Sequence, residues 1–386
     1  MRWTHLSLLP LALGAGLLLV PAGSERFPED DPADLPVAAD SLDDGPHVFW
    51  QDDTRAIAFY LCGGGAPAAR LEPADTVEFA GLCADSTVRY RIPTRPYAPA
   101  RATWTKVPRF LAISDIHGEY EALTMFLRGA GVIDSAGHWS WGNGHLVVVG
   151  DLVDRGASVT EVLWFLHRLE QEALGAGGRV HIVLGNHEMM VMRNDLRYVH
   201  GKYTDGIARY WGIRYADLFG PDMELGRWLR SKPIVLKLND ILFVHGGIAP
   251  KLATAGLGIA TLNTRFRESV DLSSITVAFS DTANLLLGVN GPLWYRGYLT
   301  DRAGLYAMTT IEELDAVLEY YRAKTVVVGH TEIGQVARLR EGRVFAIDVD
   351  LELLGTFQGL LWQDGVFSVV GAMGAAQVMP DSSGGS

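Results

Sequence analysis

Phe110-Leu-Ala-Ile-Ser-Asp115-Ile-His117-Gly118 is a short apolar run that ends abruptly in an acid and a histidine. Four later apolar runs repeat this layout and end in Gly150-Asp151-Leu-Val-Asp154-Arg155-Gly156, Gly185-Asn186-His187-Glu188, His245-Gly246-Gly247 and Gly329-His330-Thr331. Short β-branched runs bounded by glycine are typical of buried strands. Because ligands of open α/β sheets bind beyond the carboxyl ends of strands, we expect these five strand ends to form one site.

The residues at these strand ends are of types that bind metal ions. Asp115 and His117 lie two positions apart just past a strand, so both side chains can point the same way. Carboxylate and imidazole ligands together favour Mn, Fe or Zn over Mg or Ca. A single Asp or His in such a place more often caps a turn or lies satisfied in a core. Together, five Asp or His residues and one Asn predict a site for two divalent metal ions: Asp115, His117, Asp151, Asn186, His245 and His330.

The ordered set of motifs resembles the calcineurin-like metallophosphoesterases, and most closely their phosphoprotein phosphatase branch. The stretches Met223 to Lys232 and Gly291 to Tyr298 are similar to the bacterial Shewanella-like subgroup. The resemblance covers roughly residues 46 to 370 and implies an α/β (α+β) fold, a four-layer αββα sandwich with two central sheets. It also implies that Asp151 bridges the two ions.

His187 directly follows Asn186, and because adjacent side chains diverge, we expect His187 to be free for proton transfer. Asp154 would hold its imidazole and raise its pKa, so that His187 could protonate a leaving alkoxide. In the alternative, Asp154 pairs with Arg155 and His187 is structural. Arg155 offers a planar fork for phosphate oxygens. Arg296 is the expected second phosphate ligand, although its spacing departs from that of eukaryotic members and a surface arginine is the alternative.

The expected reaction follows from these parts. Two cations lower the pKa of a bridging water, the resulting hydroxide attacks phosphorus in line, and His187 protonates the departing oxygen.

The leading prediction is an exported phosphatase that hydrolyses phosphomonoesters, with phosphoserine, phosphothreonine or phosphotyrosine of proteins as candidate substrates. Symmetrical dinucleoside polyphosphate hydrolysis is an alternative, because the Gly150 to Gly156 stretch is also close to that group. A non-catalytic binding module on a phosphatase scaffold is a second alternative.

Composition limits the partners of this chain. Its 386 residues suffice for one large domain and a small one. The net charge of −12 argues against nucleic acid as a partner, since nucleic acid selects basic surfaces. Phosphorylated proteins or small phosphomonoesters remain compatible with it, because two bound cations can reverse the local field.

The N-terminus is typical of export. A basic start, an apolar run from Leu6 to Val20 and small residues after it predict a signal peptide over residues 1–22, cleaved after Ala22, and hence a periplasmic or secreted protein. An uncleaved membrane anchor is the alternative, although the run is shorter than the usual ~20 residues. In an exported protein Cys62 and Cys83 could pair, but two unrelated buried thiols are also possible.

The remaining segments differ in amino-acid composition. Residues 23–46 are rich in acids and prolines, which predicts a disordered linker. Residues 47–107 predict a small β-rich unit, which could recruit a partner or cover a sheet edge. Residues 108–371 are the predicted catalytic domain, with a helical cap over 193–231, and residues 372–386 are a predicted disordered tail.

Overall fold

The computed structural model describes residues 42–71, 76–81, 83, 88–272, 276–277 and 280–380. The predicted signal peptide or membrane anchor, residues 1–22, lies outside them, as do residues 23–41 of the predicted linker and 381–386 of the predicted tail. Within the described ranges, no helix has both the length and the apolar character that a membrane span requires.

Strands and helices alternate through the central part of the chain. The strands are β1 (Asp44–Trp50), β2 (Ala56–Leu61), β3 (Ala68–Leu71), β4 (Thr76–Ala80), β5 (Arg89–Pro93), β6 (Thr103–Trp104), β7 (Arg109–Ile113), β8 (His145–Val149), β9 (Arg179–Val183), β10 (Val235–Leu238), β11 (Ile241–Val244), β12 (Thr325–Val328), β13 (Ala337–Leu339), β14 (Val344–Ala346), β15 (Gly359–Gln363), β16 (Val366–Val370) and β17 (Ala376–Val378). The α-helices are α1 (Tyr120–Gly129), α2 (Val159–Gly175), α3 (Asn186–Met192), α4 (Arg209–Trp211), α5 (Glu224–Arg230), α6 (Pro250–Thr254), α7 (Ile259–Ser269), α8 (Asp281–Leu287), α9 (Ile311–Tyr320) and α10 (Leu351–Leu354).

Two six-stranded sheets form the centre of the described structure. Their strand orders are β17-β16-β15-β7-β8-β9 and β13-β14-β12-β11-β10-β6. Strands β7, β8 and β9 are parallel to one another, as are β11, β12 and β14. The five predicted strand ends therefore belong to parallel strands that are divided between two sheets.

The central strands of both sheets are buried on both faces, which places the two sheets between helical layers. In β7, Phe110 and Ala112 belong to one hydrophobic cluster, and Leu111 and Ile113 belong to another. Phe110 meets Phe243 of the other sheet edge to face, with ring centroids 5.1 Å apart. Because neighbouring residues of a strand point to opposite faces, one cluster fills the space between the sheets and the other lies under the helices. The predicted α/β sandwich is confirmed.

Ordered structure extends into two segments that were predicted to be disordered, the linker and the tail. Strand β1 begins at Asp44, inside the predicted acidic linker, and the Asp44 side chain is fully buried. Composition alone assigned this acid to solvent, but its buried partners come from distant segments. Within the predicted disordered tail, Ala376–Val378 pairs with β16, because the edge of that strand presents free backbone groups.

The predicted small β unit contains two small sheets, β1-β2-β3 and β4-β5. Cys62, just after β2, forms a disulfide with Cys83, with the two Cα atoms 5.5 Å apart. The structure thus answers the question that the sequence left open, in favour of pairing.

Replacing both cysteines, in Cys62→Ala/Cys83→Ala, is expected to lower the free energy of unfolding by about 3 kcal/mol, because the crosslink closes a short loop. Urea unfolding of the oxidised wild type and the double variant measures the difference. The reduced wild type should match the variant, and a difference below about 0.5 kcal/mol between oxidised and reduced protein would contradict the expectation.

The segment predicted to form a cap is helical in several short pieces. It contains a π-helix at Lys202–Ala208, a 3-10 helix at Tyr215–Phe219, and the helices α4 and α5. Several of its arginines are engaged within the fold: Arg197 pairs with Asp195, Arg214 with Asp217 and Arg230 with Asp271. The charge of each of these three arginines is therefore balanced by a neighbouring carboxylate.

Candidate active site

The loops that follow the strands have an unusual backbone. Six candidate residues have a positive φ between 48° and 70°: Asp115, His117, Asp151, Asp154, Arg155 and His330. A residue other than glycine in this region costs about 1–3 kcal/mol and persists only where surrounding contacts enforce it. Here the loops after β7 and β8 hold each other, since His117 N donates to Asp151 O at 2.9 Å and Gly118 N donates to Leu152 O at 3.0 Å.

Glu188 ties the second and third strand ends together. Its buried carboxylate accepts from the backbone N–H groups of Asp151 (3.0 Å), Leu152 (2.6 Å), Val153 (3.2 Å) and Gly185 (2.7 Å). The side chain therefore holds the loops that carry the ligands. The sequence placed Glu188 in the third motif, but only the fold shows these partners.

Glu188→Ala is expected to destabilise the fold by at least about 4 kcal/mol, because four buried donors lose their acceptor at about 1–3 kcal/mol each. Glu188→Gln should cost less, since one acceptor oxygen remains. Urea unfolding at constant pH measures both variants. Equal stability of Glu188→Ala and wild type would show that the loops do not depend on this carboxylate.

Asp151 lies at the centre of the candidate site. Its Oδ2 is 3.1 Å from Nε2 of His245 and 3.8 Å from Nε2 of both His117 and His187. The other ring nitrogen, Nδ1, faces a backbone carbonyl in two cases: Val153 O at 3.0 Å for His117 and Val149 O at 2.7 Å for His245. A backbone carbonyl at Nδ1 sets the tautomer and leaves Nε2 available for a metal.

Two groups of side chains could each hold a cation. One consists of His117, Asp151 and His187, and the other of Asp151, His245 and His330, with the ligand atoms of each group within 4.8 Å of one another. Asp151 belongs to both. Nε2 of His330 is buried and has no hydrogen-bond partner among the described residues. A cation would satisfy this nitrogen, so the donors present fit a pair of divalent metal ions.

The two remaining predicted ligands lie beside these groups. Asn186 Oδ1 is 2.9 Å from Nε2 of His245. Asp115 Oδ2 accepts from the backbone N–H of His330 at 3.1 Å and from the hydroxyl of Ser114. The structure therefore brings all six predicted ligands into one contiguous cluster. It also brings His187, which was expected to lie apart from the metals, within the same distance limits.

Burial and charge set the protonation of the cluster. Burial lowers the pKa of His117 to about 3, which keeps its imidazole neutral, as a metal ligand requires. Burial raises the pKa of Asp115 to about 6. Burial also opposes ionisation of Asp151, but the histidines around it, His245 first, hold its pKa well below the usual range. A carboxylate surrounded by imidazoles is the arrangement expected of a shared ligand.

His187 and Asp154 form a buried pair. Nδ1 of His187 lies 2.7 Å from Oδ2 of Asp154. Burial lowers the pKa of His187, but the charge of Asp151 and the hydrogen bond to Asp154 outweigh it, so the pKa is raised. Asp154 thus contacts His187, the partner that the sequence analysis preferred over Arg155.

The two predicted phosphate ligands have different surroundings. Arg155 is exposed, and its guanidinium has no hydrogen-bond partner in the part of the chain that the structure describes. Arg296 is partly buried: its Nη1 donates to the backbone carbonyl of His330 and lies 3.3 Å from Oγ1 of Thr331. Arg296 therefore lies beside the cluster, in contact with a ligand loop, and only Arg155 presents an uncommitted fork to solvent.

Sequence reasoning missed two residues near the site. Asp348 is buried just past β14, and burial, with the charges of Asp115 and Asp151, raises its pKa well above the usual range. Because β14 runs parallel to β12, the strand-end rule that identified the other acids could have identified Asp348. The ring of Tyr198 lies 5.1 Å from that of His187, between centroids. No motif indicated Tyr198, since its position depends on how the cap folds back.

Known proteins resemble this chain in sequence and in fold. Shewanella-like protein phosphatase 1 of Plasmodium berghei is 30% identical over 255 residues, which are 64% of this chain and 68% of that protein. Shewanella-like protein phosphatase 2 of Arabidopsis thaliana is 42% identical over 193 residues, 39% of this chain and 49% of that protein. The solved structure of a cold-active protein-tyrosine phosphatase from a psychrophilic Shewanella species has 32% identity and a TM-score of 0.79, and covers 88% of this chain and 100% of that one.

The family of calcineurin-like phosphoesterases matches residues 108–333, more than half of the chain. This range contains all ten candidate residues, from Asp115 to His330. The chain is therefore a metal-dependent phosphatase of the calcineurin-like metallophosphoesterase family, and within that family it belongs to the Shewanella-like protein phosphatases.

Proposed function

We propose that this phosphatase hydrolyses phosphomonoesters at a pair of divalent metal ions, with His187 as the general acid. The observation that carries the proposal is the shared position of Asp151 between two groups of candidate ligands, the first of which also contains His187, paired with Asp154. Asp115, His117 and Asp151 would hold one ion. Asp151, Asn186, His245 and His330 would hold the other. Manganese is the first candidate for both, with iron or zinc as alternatives.

When bound, such a pair of cations supplies a hydroxide nucleophile near neutral pH and positive charge for the phosphoryl oxygens. Arg155 would orient the phosphoryl group through its guanidinium fork. Asp154 keeps Nδ1 of His187 engaged, so the proton on Nε2 is free to move to the leaving oxygen. We propose Arg296 as a support for the His330 loop that could also reach a phosphate oxygen, since only part of its fork is engaged.

Phosphorylated protein side chains, phosphotyrosine among them, are the proposed substrates. Support comes from the Shewanella enzyme described as a protein-tyrosine phosphatase, and from the aromatic ring of Tyr198 beside His187. The other candidate is symmetrical hydrolysis of dinucleoside polyphosphates. An exported enzyme would not meet these mainly cytosolic compounds, which favours the phosphoprotein substrate.

The test is an assay of the purified protein against phosphotyrosine, phosphoserine and phosphothreonine peptides and diadenosine tetraphosphate, with each metal restored in turn after chelation. We expect turnover of phosphopeptides that disappears on chelation and returns with manganese. Faster turnover of the dinucleotide would favour the alternative. Metal retention without turnover of any of these substrates would favour the binding-module alternative.

We also propose export by the segment 1–22. The disulfide between Cys62 and Cys83 supports it, since such bonds persist in oxidising compartments. Cell fractionation with N-terminal sequencing tests this proposal. A mature protein that begins at Gly23 in the periplasm or medium is expected, and an intact N-terminus in the membrane fraction would indicate an anchor instead.

A further inference from the structure

Asp44 opens strand β1 and is fully buried at a junction of three segments. Its Oδ2 lies 2.6 Å from Nε2 of His47 and accepts from Thr160 Oγ1 of helix α2 at 3.2 Å. Its Oδ1 lies 3.4 Å from Nζ of Lys202 in the cap. A buried carboxylate is costly unless charges and donors compensate it. Asp44 therefore links the N-terminal strands, the first helix after the Arg155 loop, and the cap.

The same junction holds the loop that carries Arg155. Nζ of Lys202 donates to the carbonyl of Ala157 at 2.9 Å. The hydroxyl of Tyr203 donates to that carbonyl at 2.9 Å and accepts from Val159 N at 2.7 Å. Residues 157–159 are thus hydrogen-bonded to the cap, and the lysine that makes one of these contacts pairs with Asp44 and, at 3.6 Å, with Glu161.

The loop needs such support because its backbone is strained. Asp154 and Arg155 have φ values of 70° and 61°. Two consecutive residues other than glycine in this region hold their conformation only where contacts around them enforce it. The N–H of Arg155 donates to Tyr198 O at 2.8 Å, and that of Gly156 donates to His117 O at 2.9 Å. The position of the Arg155 backbone therefore depends on contacts with the cap as well as with the loop that carries His117.

We propose that Asp44 is a positioning residue for phosphate binding. Through Lys202 it fixes the carbonyl of Ala157, and this contact holds Arg155 where its fork meets the phosphoryl group. The inference rests on the phosphate-binding role that we propose for Arg155. It gives the N-terminal strand a part in the active site, in place of partner recruitment or simple cover of a sheet edge.

The experiment measures binding of inorganic phosphate, the reaction product, to the metal-loaded protein by calorimetry, together with KM and kcat for p-nitrophenyl phosphate. Asp44→Asn and Lys202→Met are each expected to weaken phosphate binding about 2- to 30-fold, the range for residues that act through a contact network. The double variant should bind phosphate no more weakly than the single variant that has the lower affinity for phosphate. Metal content should equal that of wild type in all of them.

Two comparisons separate positioning from a purely structural role. On an Arg155→Ala background, Asp44→Asn should leave the phosphate dissociation constant unchanged, because the group it positions is gone. Glu170 lies elsewhere on helix α2 and pairs with the buried Lys232. Glu170→Gln removes this partner, so it should lower the Tm without changing phosphate binding. If Asp44→Asn fails to fold, Lys202→Met, which leaves the Asp44–His47 contact in place, carries the same test.

The inference is overturned if the Asp44 and Lys202 variants lose only Tm, as Glu170→Gln does, or if Asp44→Asn weakens phosphate binding equally with and without Arg155. The proposed function itself would be contradicted if the metal-loaded wild type neither bound phosphate nor turned over p-nitrophenyl phosphate.

Discussion

Asp151→Asn is expected to remove both metal ions and, with them, turnover. Asp151 is the member common to both groups of candidate ligands, and its carboxylate is the charge that faces His117, His187 and His245. Outer residues of metal sites alter affinity or activity by about 10- to 100-fold, so a shared direct ligand should cost more than about 100-fold. Metal analysis after dialysis and turnover of p-nitrophenyl phosphate measure the two losses.

A matched change on the surface provides the control for that experiment. Asp240→Asn removes a carboxylate that pairs with the exposed Lys324, and it should leave metal content and turnover unchanged. Circular dichroism should show that both variants are folded. Retention of two metal ions by Asp151→Asn would end the proposal that this residue is shared between them.

His187→Ala is expected to retain both metal ions and to lose about 100- to 10,000-fold in kcat for alkyl phosphates, the usual contribution of a general acid. An alkoxide is a poor leaving group unless it is protonated, whereas p-nitrophenolate leaves without help. The loss for p-nitrophenyl phosphate should therefore be much smaller. Phosphoserine peptide and p-nitrophenyl phosphate, assayed side by side, give the ratio.

This experiment also decides between the two positions that the geometry allows His187. Its Nδ1 contacts Asp154, but its Nε2 faces Asp151 within the first group of candidate ligands. Loss of one metal ion in His187→Ala would make it a ligand, and equal loss for both substrates would remove it from the acid role. His138→Ala, at an exposed histidine that pairs with Glu172, should change neither metal content nor turnover.

The sequence predicted the strands correctly because the patterns that indicate a strand are local. Short apolar runs in β7, β8 and β9, each followed within three residues by Asp or Asn, predicted both the strands and the edge where their side chains meet. The rule that ligands bind at strand ends identified a single site although the strands belong to two sheets, because the parallel strands of both sheets end at the same edge. Applied to β14, it would also have found Asp348.

The tertiary structure decided what depends on partners far away in the chain. Asp44 belongs by composition to an acidic spacer, yet its partners Thr160 and Lys202 are more than a hundred residues away and make burial tolerable. The pairing of His187 with Asp154 and the position of Tyr198 likewise depend on how loops and cap pack. Short apolar runs along this chain specified the strands of the site and the residues at their ends, because both are encoded by neighbouring residues. Which charges are buried, and which loops they hold, was determined by packing, because a charge is stable inside the protein only next to partners that the fold brings to it.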